Sequence, residues 1–220
     1  MIATLTGLGL SSAAGLNAYI PLLAVGLIAR FTDLLPLGDA WQWLEHPVTL
    51  VSLTVLLVVE FAADKVPALD TLNDAVQTVI RPSAGGITFG AGASAVDLTE
   101  LTGTASASVA EAGDGVSWLP VIAGMVIALA FHAAKTLARP VLNSVSFGLA
   151  APVVSFLEDV ASFVTSLVAI LLPLLILVVF PLMVATGVWA VRRRRRRRAE
   201  RAEQDGAPAG WRGRLGRGGR

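Results

Sequence analysis

Apolar residues gather in five long stretches, 4–29, 47–64, 83–97, 118–138 and 141–191, and most of the charge lies between them. A helix rising 1.5 Å per residue needs about 20 apolar residues to cross a hydrocarbon core about 30 Å thick. The last stretch is too long for one crossing, and Glu158 and Asp159 divide it near 141–157 and 162–191. The weakest span is 83–102, which is Gly-rich and carries Asp97 and Glu100; a re-entrant loop is the alternative there. The pattern predicts an all-α polytopic membrane protein with about six transmembrane helices, near 4–29, 47–64, 83–102, 118–138, 141–157 and 162–191. Residues 192–220 have little to bury and are expected to form a disordered basic tail.

Charge placement orients this arrangement. Residues 1–191 hold five Lys and Arg against thirteen acids, and residues 192–220 hold twelve against three. With six crossings and a cytoplasmic N-terminus, every cation of the body except Arg30 falls on the cytoplasmic side, where such residues are retained. Four or five crossings would put Lys135 and Arg139, or Lys65 and Arg81, outside. Trp41, Trp43 and Trp118 then belong at the outer interface and Trp189 at the inner one. The stretch 69–80, apolar at Leu69, Leu72, Val76, Val79 and Ile80, reads as an amphipathic helix lying at the interface, with Asp70 and Asp74 solvated.

A composition of 55% hydrophobic and 15% charged residues agrees with this class, as does a mean hydropathy of +0.71. The chain has no cysteine, which removes disulfides, thiolate nucleophiles and Cys-metal sites. The first residues, MIATLTGLGL, lack a basic segment and read as the start of a helix, not a cleaved signal.

An internal echo adds a second level of order. RPSAGGITFGAGAS (81–94) aligns without gaps on RPVLNSVSFGLAAP (139–152), and FAADK (61–65) echoes FHAAK (131–135). The match suggests a parallel tandem repeat of two helical hairpins, with twelve extra residues in the first copy. Chance recurrence of Gly, Ala and Pro in membrane helices is the competing explanation.

Taken in order, GLSSAAGLNAYIPLL ending at Leu23, EFAADKVPALD (60–70), IRPSAGG (80–86), HAAKTLARPVLNS (132–144) and the acidic pair Glu158-Asp159 resemble the membrane proteins grouped as domain of unknown function 4126. The most specific piece is Glu-x3-Asp-Lys-x-Pro-x2-Asp. Val145-Ser146 stands where the family often has Ser-Pro. The resemblance implies a bacterial integral membrane protein in the cytoplasmic membrane and carries no activity with it.

Within the apolar frame, a few polar residues stand out. Glu60 and Asp64 lie one helical turn apart, with Lys65 beside them. Glu60 lies deep and must face the bundle or an aqueous cavity, either as an ion or proton site or paired with Lys135, Arg139 or Arg81. His132, Lys135 and Arg139 recur at helical spacing and could take an anion, pair with the acids, or snorkel to headgroups. Asn17 follows Ser11, Ser12 and Gly15 in the first helix. Close packing is the favoured role, with a helix broken at Pro21 and carbonyls lining a site as the alternative. Arg192, Arg193, Arg194, Arg195, Arg196, Arg197 and Arg198 are expected to contact anionic lipid headgroups beyond the last crossing.

No phosphate-binding loop, nucleophile elbow or metal-ligand spacing accompanies these residues. An enzyme is therefore not expected, nor a metal, a cofactor or a specific nucleic acid; the lipid bilayer and a second copy of the chain are the candidate partners. Two function classes stay in play. One is a small transporter or channel-like protein with a charged centre made by Asn17, Glu60, Asp64, Lys65, Arg81, His132, Lys135 and Arg139. The other is a structural or assembly protein whose charges only lock helices together.

Overall fold

The computed structural model describes residues 1–63, 67–95, 116–146 and 150–206. In chain order the helices are α1 (Ile2–Leu16), α2 (Tyr19–Phe31), a 3₁₀ helix (Asp39–Glu45), α3 (Pro47–Ala63), α4 (Pro67–Ser94), α5 (Trp118–Ser146), α6 (Ala150–Leu171), a 3₁₀ turn (Pro173–Leu175) and α7 (Ile176–Gly206). Among the described residues the fold is all-helical.

α1 is the axis of the bundle and touches α4, α5, α6 and α7. Its sequence explains why. Ala, Gly and Ser dominate it, and it is buried on nearly every side from Ala3 to Gly15. Small residues let backbones approach closely where lipid offers no hydrophobic drive between helices. A β-carbon on Gly15 would lie 2.7 Å from the Ala128 carbonyl oxygen of α5, and one on Gly9 would lie 2.6 Å from the Ala169 side chain of α6. α6 answers with a buried stripe of Ser155, Ser162, Thr165, Ser166 and Ala169, spaced as one helical face.

The outer faces are apolar and exposed. Val51, Val55, Val58 and Val59 on α3, Ile122, Val126 and Leu129 on α5, and Phe156, Phe163 and Val164 on α6 lie open. Apolar surface this extensive is unfavourable in water and suits lipid. Two helical segments, Trp118–Thr136 and Val153–Leu171, are long and apolar enough to cross a membrane, and a third span arises if the 3₁₀ helix and α3, bent by 61°, count as one. His46 precedes Pro47 and is extended, which accounts for that bend.

Several boundaries differ from those read in the hydropathy. Glu158 and Asp159 do not divide two helices. They lie inside α6, and the break falls at Leu172–Pro173 instead. The amphipathic stretch 69–80 and the following span form one helix, α4, which continues through Pro82. α7 carries the helix through Arg192–Arg198 to Gly206, so the start of the basic tail is helical. Trp41 is buried within the bundle, because Gly90 leaves a notch for its ring: a β-carbon there would meet Trp41. Trp43, Trp118 and Trp189 are exposed. The two Arg-Pro motifs occupy different places, Arg81-Pro82 in the middle of α4 and Arg139-Pro140 near the end of α5. Asp97, Glu100, Glu111 and Asp114 lie outside the described residues.

Candidate functional site: a broken helix between two ion pairs

The first helix breaks at Asn17, not at Pro21. Asn17 has extended backbone (φ −142°, ψ 125°) and separates α1 from α2. Its side chain caps the new helix start: Oδ1 accepts hydrogen bonds from the backbone N–H of Tyr19 (3.0 Å) and Ile20 (3.1 Å). Its Nδ2 donates to Asp159 Oδ1 of α6 at 2.9 Å. Asparagine suits this position because its carboxamide serves both directions at once.

The α1 ladder ends with the Asn17 N–H donating to the Ala13 carbonyl at 3.0 Å, so the carbonyls that follow need partners from outside the helix. Three other helices supply donors. Arg81 Nη1 of α4 donates to the Gly15 carbonyl at 3.2 Å, Lys135 Nζ of α5 to the Leu16 carbonyl at 3.1 Å, and Ser162 Oγ of α6 to the Ala13 carbonyl at 3.0 Å. Electrostatics follow the same logic. Two cations sit at the negative end of α1, and the Asp159 carboxylate sits near the positive end of α2.

Each cation is balanced by an acid. Arg81 Nη2 lies 2.9 Å from Glu60 Oε1 of α3, and both side chains are about 1% exposed. Arg81 Nε also donates to Gln77 Oε1 at 3.3 Å, one turn back on α4. A planar guanidinium can serve Glu60, Gly15 and Gln77 simultaneously, which a lysine ammonium could not do in this geometry. On the other side, Lys135 Nζ lies 2.7 Å from Glu158 Oε2, with side-chain exposures of 2% and 16%. The Arg81 pair is sealed, whereas the Lys135 pair borders a cleft between α5, α6 and α7. That cleft has a volume of about 320 Å³, and Leu16, Lys135, Leu157, Glu158, Met183 and Gly187 contribute to its walls.

The sequence candidates are thus partly united. Asn17, Glu60, Arg81 and Lys135 converge on the break. His132 is buried but turns to α4, with Nε2 3.1 Å from Thr78 Oγ1. Asp64 and Lys65 lie outside the described residues, and Arg139 is in α5 with its side chain outside them. In the basic run, Arg193 stacks over Trp189 at 5.0 Å. Arg192 and Arg193 are exposed, and the side chains of Arg194–Arg198 lie outside the described set.

Sequence reasoning gave Asp159 and Glu158 the wrong setting, an outer loop, and did not single out Gln77 or Ser162. A signal for the acids existed: Ser155, Ser162 and Ser166 flank them at helical spacing, marking a polar buried face and not a turn. Among the described residues, no three metal-binding side chains converge.

Asn17→Ala is expected to lower stability by about 1–2 kcal/mol, since it removes a cap and the bond to Asp159. Asn17→Asp should cost more than the cap alone accounts for, because it sets a carboxylate against Asp159. Thermal melts of the three proteins in detergent micelles would check this order.

No curated protein and no solved structure matches the chain. The family described as Domain of unknown function (DUF4126) matches residues 4–193, which take in the broken helix, both ion pairs and the start of the arginine run. The chain belongs to that family.

Proposed function

We propose that the protein is a small membrane transporter or channel-like protein whose working centre is the break at Asn17. In this reading it crosses the membrane six times, through α1 with α2, the bent 3₁₀ helix with α3, α4, α5, α6 and α7. Both termini are cytoplasmic, as the arginine run favours. The observation that carries the reading is the Lys135–Glu158 pair, which meets the broken end of α1 and borders the cleft between α5, α6 and α7. Interrupted helices with unsatisfied backbone and paired charges near the bilayer middle are a recurrent way to bind and pass solutes. A polar or charged solute would compete for Lys135 or Glu158 and open the pair. The sealed Glu60–Arg81 pair would hold the frame still.

The complete burial of Glu60 and Arg81 favours a second reading, in which both pairs only fasten helices and the protein has a structural or assembly role. The absence of native cysteine allows a clean decision. Single cysteines at Ala134 and Ala161, on the cleft walls, and at Ala84, buried at 2%, would be exposed to a membrane-impermeant thiol reagent in sealed vesicles. Labelling at Ala134 and Ala161 with protection at Ala84 is the result expected of a water-accessible path. Protection at all three would remove the transport reading and leave the structural one.

A further inference from the structure

A second cavity adjoins the charged cleft and has a different character. It lies between α5 and α7, has a volume of about 410 Å³, and is walled by Ala130, Phe131, Met183, Val184 and Val188 with Arg192 at one end. Ala130, Val184 and Val188 are exposed, so the trough faces outward, where lipid would be. It exists because Ala130 is too short to fill the space beside α7, while Phe131 and Met183 form its floor.

Among the described residues that line it, charge stands at one end only. Arg192 is the charged residue lining the trough. Arg193, its neighbour, is turned onto the Trp189 ring. An indole with a cation over it marks the level of lipid headgroups. An apolar trough that ends at a guanidinium at that level matches one apolar chain and the anionic head of an amphiphile. The volume falls within the range of small-molecule sites.

We infer that the α5–α7 trough is a binding site for one anionic glycerophospholipid, with an acyl chain along Ala130, Val184 and Val188 and its phosphate on Arg192. This differs from general attraction of the arginine run to a charged surface, because it assigns a unique role to Arg192 and a stoichiometry of one. The trough shares Phe131, Ala134, Met183 and Gly187 with the charged cleft, so the lipid would stand beside the Lys135–Glu158 pair.

The test uses the full chain, purified with equal amounts of dioleoyl phosphatidylglycerol and dioleoyl phosphatidylcholine, with retained lipids counted by native mass spectrometry. One phosphatidylglycerol per protomer is expected on the wild-type protein. Ala130→Trp, which fills the trough from its open side, should lower retention by roughly tenfold. Arg192→Gln should lower it severalfold. Arg198→Gln makes the same change in charge about 9 Å further along α7 and should leave retention unchanged. Equal losses from Arg192→Gln and Arg198→Gln would overturn the site and leave only diffuse attraction to the tail. Unchanged retention in Ala130→Trp would also overturn it, as would equal retention of the two lipids. If Ala130→Trp fails to give a monodisperse protein, Val184→Trp fills the same trough from the facing wall, and the arginine pair of variants decides independently of packing.

Discussion

Glu60→Ala is expected to be the most damaging single substitution in the described structure. It would leave the Arg81 guanidinium buried without its acid, and an uncompensated buried charge costs about 3–5 kcal/mol. Whole domains are stable by only about 5–15 kcal/mol, so a large share of the folding margin would disappear. The location adds to the effect. Most of α3 faces outward, and apart from Leu50 and Leu53 its buried residue is Glu60. The ion pair therefore clips the end of α3 to the bundle. Glu60→Gln, which keeps the shape and an acceptor, should lose less. The double variant Glu60→Leu with Arg81→Met removes both charges and should recover much of the loss, although not the bond to the Gly15 carbonyl. Thermal melts in micelles, with membrane abundance as a second readout, would decide. A Glu60→Ala protein melting within a degree of wild type would show that the pair contributes nothing to stability, and one-sided rescue by Arg81→Met is the signature to look for.

Gly124→Leu is expected to come second, through packing alone. Gly124 of α5 faces Gly85 of α4, and a β-carbon on Gly124 would overlap the Gly85 carbonyl and lie 2.6 Å from Phe89 Cβ. A β-carbon on Gly85 would lie 2.7 Å from the Gly124 carbonyl oxygen. The obstructing atoms are largely backbone, which cannot step aside as a side chain does. Helix propensity favours Leu over Gly by up to about 1 kcal/mol. Overpacking costs about 1–3 kcal/mol or more, so the clash should win. Separating α4 from α5 would also pull Arg81 and Lys135 away from the carbonyls of Gly15 and Leu16. Gly187 provides the contrast, since a β-carbon there would meet Ala134 Cβ at 3.4 Å, an ordinary contact. Gly187→Ala should be neutral or slightly stabilising. Equal melting temperatures for the Gly124→Leu and Gly187→Ala proteins would rule out the tight crossing.

The expected outer loop at Glu158 and Asp159 illustrates what hydropathy cannot separate. Two adjacent carboxylates lower a window's hydropathy equally, whether they lie in water or in a helix facing two cationic or amide partners. Only the positions of Lys135 and Asn17, 23 and 142 residues away in the chain, distinguish the cases. The break at Asn17 was similarly half visible. Pro21 attracted attention as a helix breaker, yet it stands in the first turn of α2, where a missing N–H costs nothing. The interruption comes from Asn17 instead, whose carboxamide replaces the backbone bonds it disrupts.

By itself the sequence determined the class: helices throughout the described residues, too apolar for water on their outer faces, with a basic end, and a chain of this family. Length and composition of segments suffice for that, because the cost of leaving backbone groups unpaired in lipid allows few alternatives. It also marked Glu60 as buried and named Arg81 among its three possible partners. The tertiary structure alone decided which cation meets which acid, that Glu158 and Asp159 lie within a helix facing Lys135 and Asn17, that Trp41 fills a glycine notch, and where the first helix breaks. These depend on which faces of distant helices come within about 3 Å, the reach of a hydrogen bond. A one-dimensional average over a window carries no term for a partner across the bundle.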